Sequence, residues 1–174
     1  SHVFSNCSKL KSISLPESLE AIGFGTFRGT GFEKIVLPSN IRVIGSYAFA
    51  ECHSLTDITL PVSLETLGYH AFEETRIKAI NMPRGVDTIP SFCFFNCHEL
   101  EKIDLSHIKK VDGYAFSNCV NLKEVTLNDD AIFIGEDHFT GCTNLTKVHL
   151  PETLKSIPIN CFKNCTSLKE INFP

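Results

Sequence analysis

Residues 32–52 read F-E-K-I-V-L-P-S-N-I-R-V-I-G-S-Y-A-F-A-E-C, and variants of this stretch fill the chain. Its last phenylalanine belongs to a column that recurs every 22 or 23 residues, at Phe4, Phe27, Phe49, Phe72, Phe94, Phe116, Phe139 and Phe162. So regular a period predicts a solenoid, because one repeat of this length cannot bury its apolar face alone and must stack on the next.

The first half of each repeat has the pattern of a short strand. In the first repeat Ile13 and Leu15 alternate with Ser12 and Ser14, which is the period-two signal of a strand with one buried face. Equivalent segments of successive repeats are expected to pair side by side in one parallel sheet. The prediction is a buried phenylalanine column and eight parallel strands, near residues 11–15, 33–37, 56–60, 78–82, 101–105, 123–127, 146–150 and 169–173.

The second half of each repeat has a different spacing. Ala48, Phe49 and Cys52 fall at helical spacing after Gly45, which indicates a short helical turn. The expected fold class is therefore an α/β solenoid of about 7–8 repeats of 22–23 residues. Its parallel β-sheet would line the concave face, and the short helical turns would form the outer face.

Two segments, residues 60–68 (L-P-V-S-L-E-T-L-G) and 115–119 (A-F-S-N-C), resemble the BspA-like, or Treponema-type, leucine-rich repeats. The resemblance covers nearly the whole chain. It implies a right-handed leucine-rich-repeat superhelix, with residues 1–174 as a single domain and a fragment of a longer repeat protein. Thr30 and Thr75 replace the usual cysteine, Ser106 and Asn128 replace proline, and the loop after Leu105 is one residue short. These changes are expected to alter local curvature and not the fold.

Members of that family resemble adhesins on host-associated bacteria and protozoan parasites. The resemblance therefore implies a cell-surface or secreted binding module that contacts host or matrix proteins. The alternative is an intracellular, cytoplasmic scaffold for protein–protein interactions, which would suit free thiols.

The charge balance argues against other kinds of partner. Lys and Arg total 16 against 20 Asp and Glu, for a net charge of -4, so the basic footprint of a nucleic-acid-binding protein is missing. No apolar run reaches the roughly 18 residues of a transmembrane helix, so no membrane insertion by this segment is expected.

The cysteines give no metal or cofactor site. Six of the eight share one column of the repeat, which predicts buried free thiols, with disulfides between neighbouring repeats left open. Two C-x-x-x-C pairs, Cys93 with Cys97 and Cys161 with Cys165, lie three repeats apart, roughly 15 Å, too far for one zinc ion. The histidines have no partner acid or nucleophile at a repeated offset, so no catalytic residue and no cofactor is predicted.

Two surfaces are candidates for ligand binding. The first is the concave face of the sheet, where mixed polar side chains either bind a polar ligand or are simply solvated. Its residues are Lys34, Asp57, Thr59, Asn81, Lys102, Asp104, Glu124, Thr126, Lys147 and His149. The second, the aromatic stripe, comprises Tyr47, His70, Phe92 and Tyr114, two positions before the phenylalanine column. Its rings would stack at about 5 Å and either bind a partner or stiffen the turns.

The ends of the chain lack the polar caps that shield a solenoid from water. We expect the native protein to continue in at least one direction, and we expect this fragment to fray or to associate end to end.

Overall fold

The chain forms a β-solenoid of about seven turns in which all strand pairing is parallel. The structure is a computed structural model that describes residues 1–172, apart from the side chain of Ile134. Each turn of the solenoid, or rung, contributes to a main sheet and most rungs also contribute to a second, lateral sheet. The main-sheet strands are β2 (Lys34–Val36), β4 (Asp57–Thr59), β6 (Ala79–Ile80), β8 (Lys102–Ile103), β10 (Glu124–Thr126), β12 (Lys147–His149) and β13 (Glu170–Ile171). The lateral strands are β1 (Ala21–Ile22), β3 (Val43–Ile44), β5 (Thr66–Leu67), β7 (Thr88–Ile89), β9 (Lys110–Asp112) and β11 (Ile132–Ile134).

The predicted strands of the main sheet are confirmed at seven of the eight positions. Residues 11–15 are the exception: Ile13 and Leu15 pack half-buried against the core, but they form no strand and do not pair with β2. The eighth position contains β13, and Phe173 of that prediction lies outside the described residues.

The predicted helical turns, and with them the α/β class, are wrong: residues 1–172 contain no helix. The reason is visible in the segment around Phe49. The N–H groups of Tyr47, Phe49 and Glu51 donate to carbonyls of the next rung, and only the intervening N–H groups donate three residues back. A helix would use every one of these donors within itself. Positive φ angles at Tyr47 and Glu51 instead produce a series of tight turns.

The lateral sheet was not predicted. Its strands have two or three residues, with an exposed-then-buried pattern too short to show alternation along the chain. The lateral sheet is split into β1-β3-β5 and β11-β9-β7. The main sheet, predicted as one parallel sheet, is likewise split, into β2-β4 and β13-β12-β10-β8-β6. The short loop after Leu105 does not interrupt pairing, since β9 pairs with both β7 and β11 and Leu105 bridges to Leu127.

The core contains a continuous ladder of stacked phenylalanine rings, and the predicted burial of this column is confirmed for six of its eight members. Six members, from Phe27 to Phe139, are fully buried, whereas Phe4 and Phe162 in the outermost rungs are half-buried. Successive rings lie 5.4 to 5.7 Å apart between centroids and are close to parallel, for example Phe94 with Phe116 at 5.5 Å and 5°. Burying one such ring stabilises the fold by about 1.5–3 kcal/mol, so the ladder supplies much of the cohesion between rungs.

The cysteine column lies beside this ladder. Five of its members are buried, and each Sγ atom lies 3.0 to 3.2 Å from the carbonyl oxygen of a phenylalanine in the preceding rung. Thr30 and Thr75 fill the same column by donating to the phenylalanine carbonyl of their own rung, at 2.8 and 2.9 Å. Cys7 differs from the prediction because it is exposed.

Candidate functional site

The ten residues predicted for the concave face all lie exposed on the main sheet, in two neighbouring columns. Their charges largely face one another. Lys34 pairs with Asp57 at 3.0 Å, and Lys102 lies opposite Glu124 in register. The Asp104 carboxylate accepts a hydrogen bond from the backbone N–H of Ser106, and this bond lowers the pKa of Asp104. This carboxylate therefore also has a partner within the chain.

Charge pairing between rungs extends over the whole described surface. Most ion pairs formed by residues 1–172 join side chains on neighbouring rungs. Arg42 reaches Glu65 at 2.7 Å, and Lys123 reaches Glu101 at 2.8 Å. Exposed pairs of this kind contribute about 0–1 kcal/mol each.

The aromatic stripe is assembled as expected, with one ring per rung. The ring centroids of Tyr47 and His70 lie 4.4 Å apart, those of His70 and Phe92 4.6 Å, and those of Phe92 and Tyr114 4.7 Å. All three pairs are within 8° of parallel. The rings are partly exposed. Because their faces cover one another, the stripe presents a row of ring edges to solvent.

The backbone of the stripe was not anticipated from the sequence. All four residues have positive φ, between 55° and 61°, as do Gly25, Asp137 and Asn160 in the same column. Glycine, asparagine and aspartate adopt this left-handed region readily, whereas bulky side chains do so at a cost of about 1–2 kcal/mol. The four aromatic residues therefore occupy positions at which the backbone favours other residue types.

Polar partners fix the rings at both ends of the stripe. Nδ1 of His70 lies 3.0 Å from a carboxylate oxygen of Glu73, and partial burial raises the pKa of Glu73 against the opposing effect of His70. The hydroxyl of Tyr114 donates to Glu136 at 3.1 Å, and this hydrogen bond raises the pKa of Tyr114. Arg28, which is paired with Glu51, lies over the Tyr47 ring at 5.8 Å.

The buried thiols are held in their protonated form. Burial raises the pKa of Cys97 to about 12 and that of Cys165 to about 11. It also raises the pKa of Cys93 and Cys119 well above the ordinary value of a thiol. A thiol must ionise to act as a nucleophile or a metal ligand. Within residues 1–172 no three His, Cys, Asp or Glu side chains are grouped as a metal site would require. In the same part of the chain no helix could cross a bilayer.

Sequence reasoning missed a cleft on the lateral sheet. It has a volume of about 390 Å³, lies between β5 and β7, and is bordered by Tyr69, whose side chain is 57% exposed. The sequence feature that could have indicated the cleft is Pro90. It occupies the repeat position that is glycine in the preceding rungs, at Gly23, Gly45 and Gly68.

Solved structures with the same architecture come from bacteria. A leucine-rich repeat protein from Bacteroides ovatus is 34% identical over 100% of this chain, with a TM-score of 0.78. This chain spans 51% of that protein, or about half its length. The T. pallidum leucine rich repeat protein is 27% identical over 91% of this chain and 77% of its own, also with a TM-score of 0.78.

A leucine rich cell surface protein from Faecalibacterium prausnitzii shares the fold at 20% identity, over 98% of this chain and 67% of its own, with a TM-score of 0.63. A comparison with curated protein sequences found no match. The model of the BspA type leucine rich repeat region matches six copies here, over residues 1–101 and 87–174. The chain therefore belongs to the BspA type leucine-rich repeat family.

Proposed function

We propose that the chain is a non-catalytic protein-binding module of a cell-surface protein and that it contacts host or matrix proteins through the aromatic stripe. Leucine-rich repeats generally mediate protein interactions, because their stacked rungs offer long continuous surfaces. The surface location is supported by the description of the Faecalibacterium prausnitzii relative as a cell surface protein.

One observation carries the choice of surface: four partly exposed rings occupy left-handed positions where the backbone favours Gly, Asn or Asp. Non-glycine residues in that region cluster at functional sites, where a strained conformation is retained for what the side chain does. Aromatic residues are also the side chains most enriched among interface hot spots.

The main-sheet face supports binding less well. Lys34 and Lys147 pair with acids of the next rung, and the candidate residues of this face include no Phe, Tyr or Trp. A partner would have to break those pairs, and rim-type charges contribute little to affinity.

The proposal is tested by surface plasmon resonance on immobilised fibronectin, laminin and collagen. A Tyr47→Asn/Phe92→Asn variant removes two rings and keeps residue types that the column already contains at Asn160 and Asp137. It should bind at least about tenfold more weakly than the parent protein. A Lys102→Ala/Glu124→Ala variant on the main sheet is the matched control and should bind normally.

Two results would contradict the proposal. If only the Lys102→Ala/Glu124→Ala variant loses binding, the binding site lies on the main sheet and not on the aromatic stripe. No saturable binding of the parent protein to any of the three matrix proteins would remove the matrix-binding role.

The second candidate function is an intracellular scaffold, and the column of free buried thiols favours it because such thiols suit a reducing compartment. Localisation of the full-length protein in its own cell, by surface protease treatment, separates the two. Cleavage on intact cells supports the surface module, and full protection supports the scaffold.

A further inference from the structure

We propose that the cleft between β5 and β7 is a carbohydrate site that binds an uncharged, β-linked pyranose chain. The cleft is lined by none of the four stripe residues, and the proposal does not rest on protein binding. It follows from how the lateral sheet is interrupted and from which side chains border the gap.

A proline opens the cleft. In the two preceding rungs the N–H groups of Gly45 and Gly68 donate to the carbonyls of Ile22 and Ile44, both at 2.8 Å. Pro90 occupies the same slot and has no N–H, so the carbonyl of Leu67 lacks this donor. The lateral sheet is split at this point, and Pro158 borders a second cleft, of about 260 Å³, in the same manner.

The walls of the cleft offer what a sugar requires. The backbone of Leu67 provides a carbonyl acceptor, and Thr66 provides a hydroxyl group that both donates and accepts. The Thr88 hydroxyl donates to Asp87 at 3.1 Å and offers a ligand its acceptor side. Tyr69 stands at the border with its ring largely exposed, and it stacks on no other ring among residues 1–172. An exposed ring beside convergent hydroxyl and carbonyl groups matches the apolar face and hydroxyl edge of a pyranose.

A second exposed ring lies outside the cleft in the column of Tyr69, two rungs away. It is Phe24, whose ring contacts those of His2 and Tyr47, so a sugar chain that extends beyond the cleft would meet it. Reading one residue per rung, the column of Tyr69 runs Phe24, Ser46, Tyr69 and Ser91, and Phe24 is 44% exposed. Rings on alternate rungs lie roughly 10 Å apart at the usual strand spacing. A pyranose residue is about as long as one rung, so every second sugar of an extended β-linked chain would meet a ring.

The charges of the cleft exclude an ionic ligand. Its three carboxylates are already paired: Glu65 with Arg42 at 2.7 Å, Asp87 with Lys109 at 3.6 Å and Asp112 with Lys110 at 3.0 Å. The cleft is therefore close to neutral, and an anionic glycan would meet carboxylates without free cations.

The test is a titration of the isotope-labelled chain with cellohexaose and chitohexaose, followed by amide chemical shifts, with oligogalacturonate as the anionic comparison. Saturable shifts should be confined to residues near 65–69 and 87–90 for at least one uncharged hexasaccharide. Tyr69→Ser, which introduces the residue of the neighbouring rungs, should weaken binding about tenfold. Pro90→Gly, which restores the missing donor and closes the seam, should also weaken binding. Val62→Ser, at an exposed valine in the turn after β4, should bind normally.

The proposal is overturned if neither uncharged hexasaccharide gives saturable shifts in the cleft. It is also overturned if Tyr69→Ser binds as tightly as the parent chain, or if oligogalacturonate binds better than the uncharged sugars. Amide spectra of each free variant show that it is folded, so a loss of binding is not mistaken for unfolding. Protein binding through the aromatic stripe is unaffected by any of these outcomes.

Discussion

Phe116 shows how a single residue supports the solenoid. Its ring is fully buried between Phe94, at 5.5 Å, and Phe139, at 5.4 Å, so removing it opens a void on both sides at once. We expect Phe116→Ala to lower the free energy of unfolding by roughly 3–5 kcal/mol, as for other emptied aromatic slots. Urea denaturation measures this. Phe162→Ala, at a half-buried position of the same column, should cost clearly less, and equal losses would refute the stacked ladder.

Glycine is required at some rungs and optional at others. A Cβ atom on Gly68 would lie 2.1 Å from the backbone nitrogen of Ser46. One on Gly23 would make ordinary contacts, 3.5 Å from the Thr26 hydroxyl and 3.9 Å from the nitrogen of Ser1. Gly68→Ala should therefore destabilise the fold by at least about 1–3 kcal/mol, the usual cost of overpacking one site. Gly23→Ala should be close to neutral. Similar thermal melts for the two variants would contradict the close approach of neighbouring rungs.

Thiol reactivity separates Cys7 from the other cysteines. Only Cys7 is exposed, and burial keeps the remaining thiols protonated. Labelling of the native protein at neutral pH, followed by mass measurement, should add one group, and labelling in denaturant without reductant should add eight. Paired losses of label in denaturant would reveal disulfides and would favour a secreted protein.

We expect the buried cysteine column to make the fold less stable as the pH becomes alkaline. An unfolded thiol ionises near pH 8.5, whereas the pKa of folded Cys97 is about 12. The folded state therefore binds the thiol proton more tightly than the unfolded state does. The stabilisation that this gives is complete below about pH 8.5, and it falls by about 1.4 kcal/mol per pH unit until the folded pKa is reached. Cys97→Thr, the residue type of Thr30 and Thr75, should remove this slope. Urea unfolding at pH 8 and pH 10 compares the variant with the parent, and identical pH dependence would show that Cys97 ionises freely.

The repeat period was enough to predict the main sheet and the core, because both depend on apolar residues that recur in every rung. The turn segment was misread because Ala48, Phe49 and Cys52 have the same spacing in a helix and in a series of tight turns. Only the direction of the backbone N–H groups distinguishes the two, and side-chain pattern does not report it.

The sequence was sufficient to predict some features of the candidate sites and not others. The rows of the main-sheet face and the aromatic stripe follow from register, so their members could be named from the sequence. The left-handed backbone beneath Tyr47 and Phe92 depends on hydrogen bonds between rungs and could not. The cleft beside Tyr69 depends on Pro90 withholding a single donor, which becomes meaningful only once the lateral sheet is known.

At the scale of the whole molecule, the core packing and the proposed binding surface lie in different columns. Phenylalanine rings and thiols fill the interior, and charged side chains pair between rungs on the surface. The aromatic stripe belongs to neither group, since its rings stack outside the core at positions that disfavour them. The central claim is that the stripe serves binding and contributes little to stability.

The free energy of unfolding of a variant with asparagine at all four stripe positions tests this claim most directly. Loss of stacking costs about 0.5–1.5 kcal/mol per pair, and relief of the left-handed backbone returns about 1–2 kcal/mol per residue. Urea denaturation should therefore show Tyr47→Asn/His70→Asn/Phe92→Asn/Tyr114→Asn to be no more than about 2 kcal/mol less stable than the parent chain. A loss as large as that of Phe116→Ala would show that the rings stiffen the stack and would contradict the account.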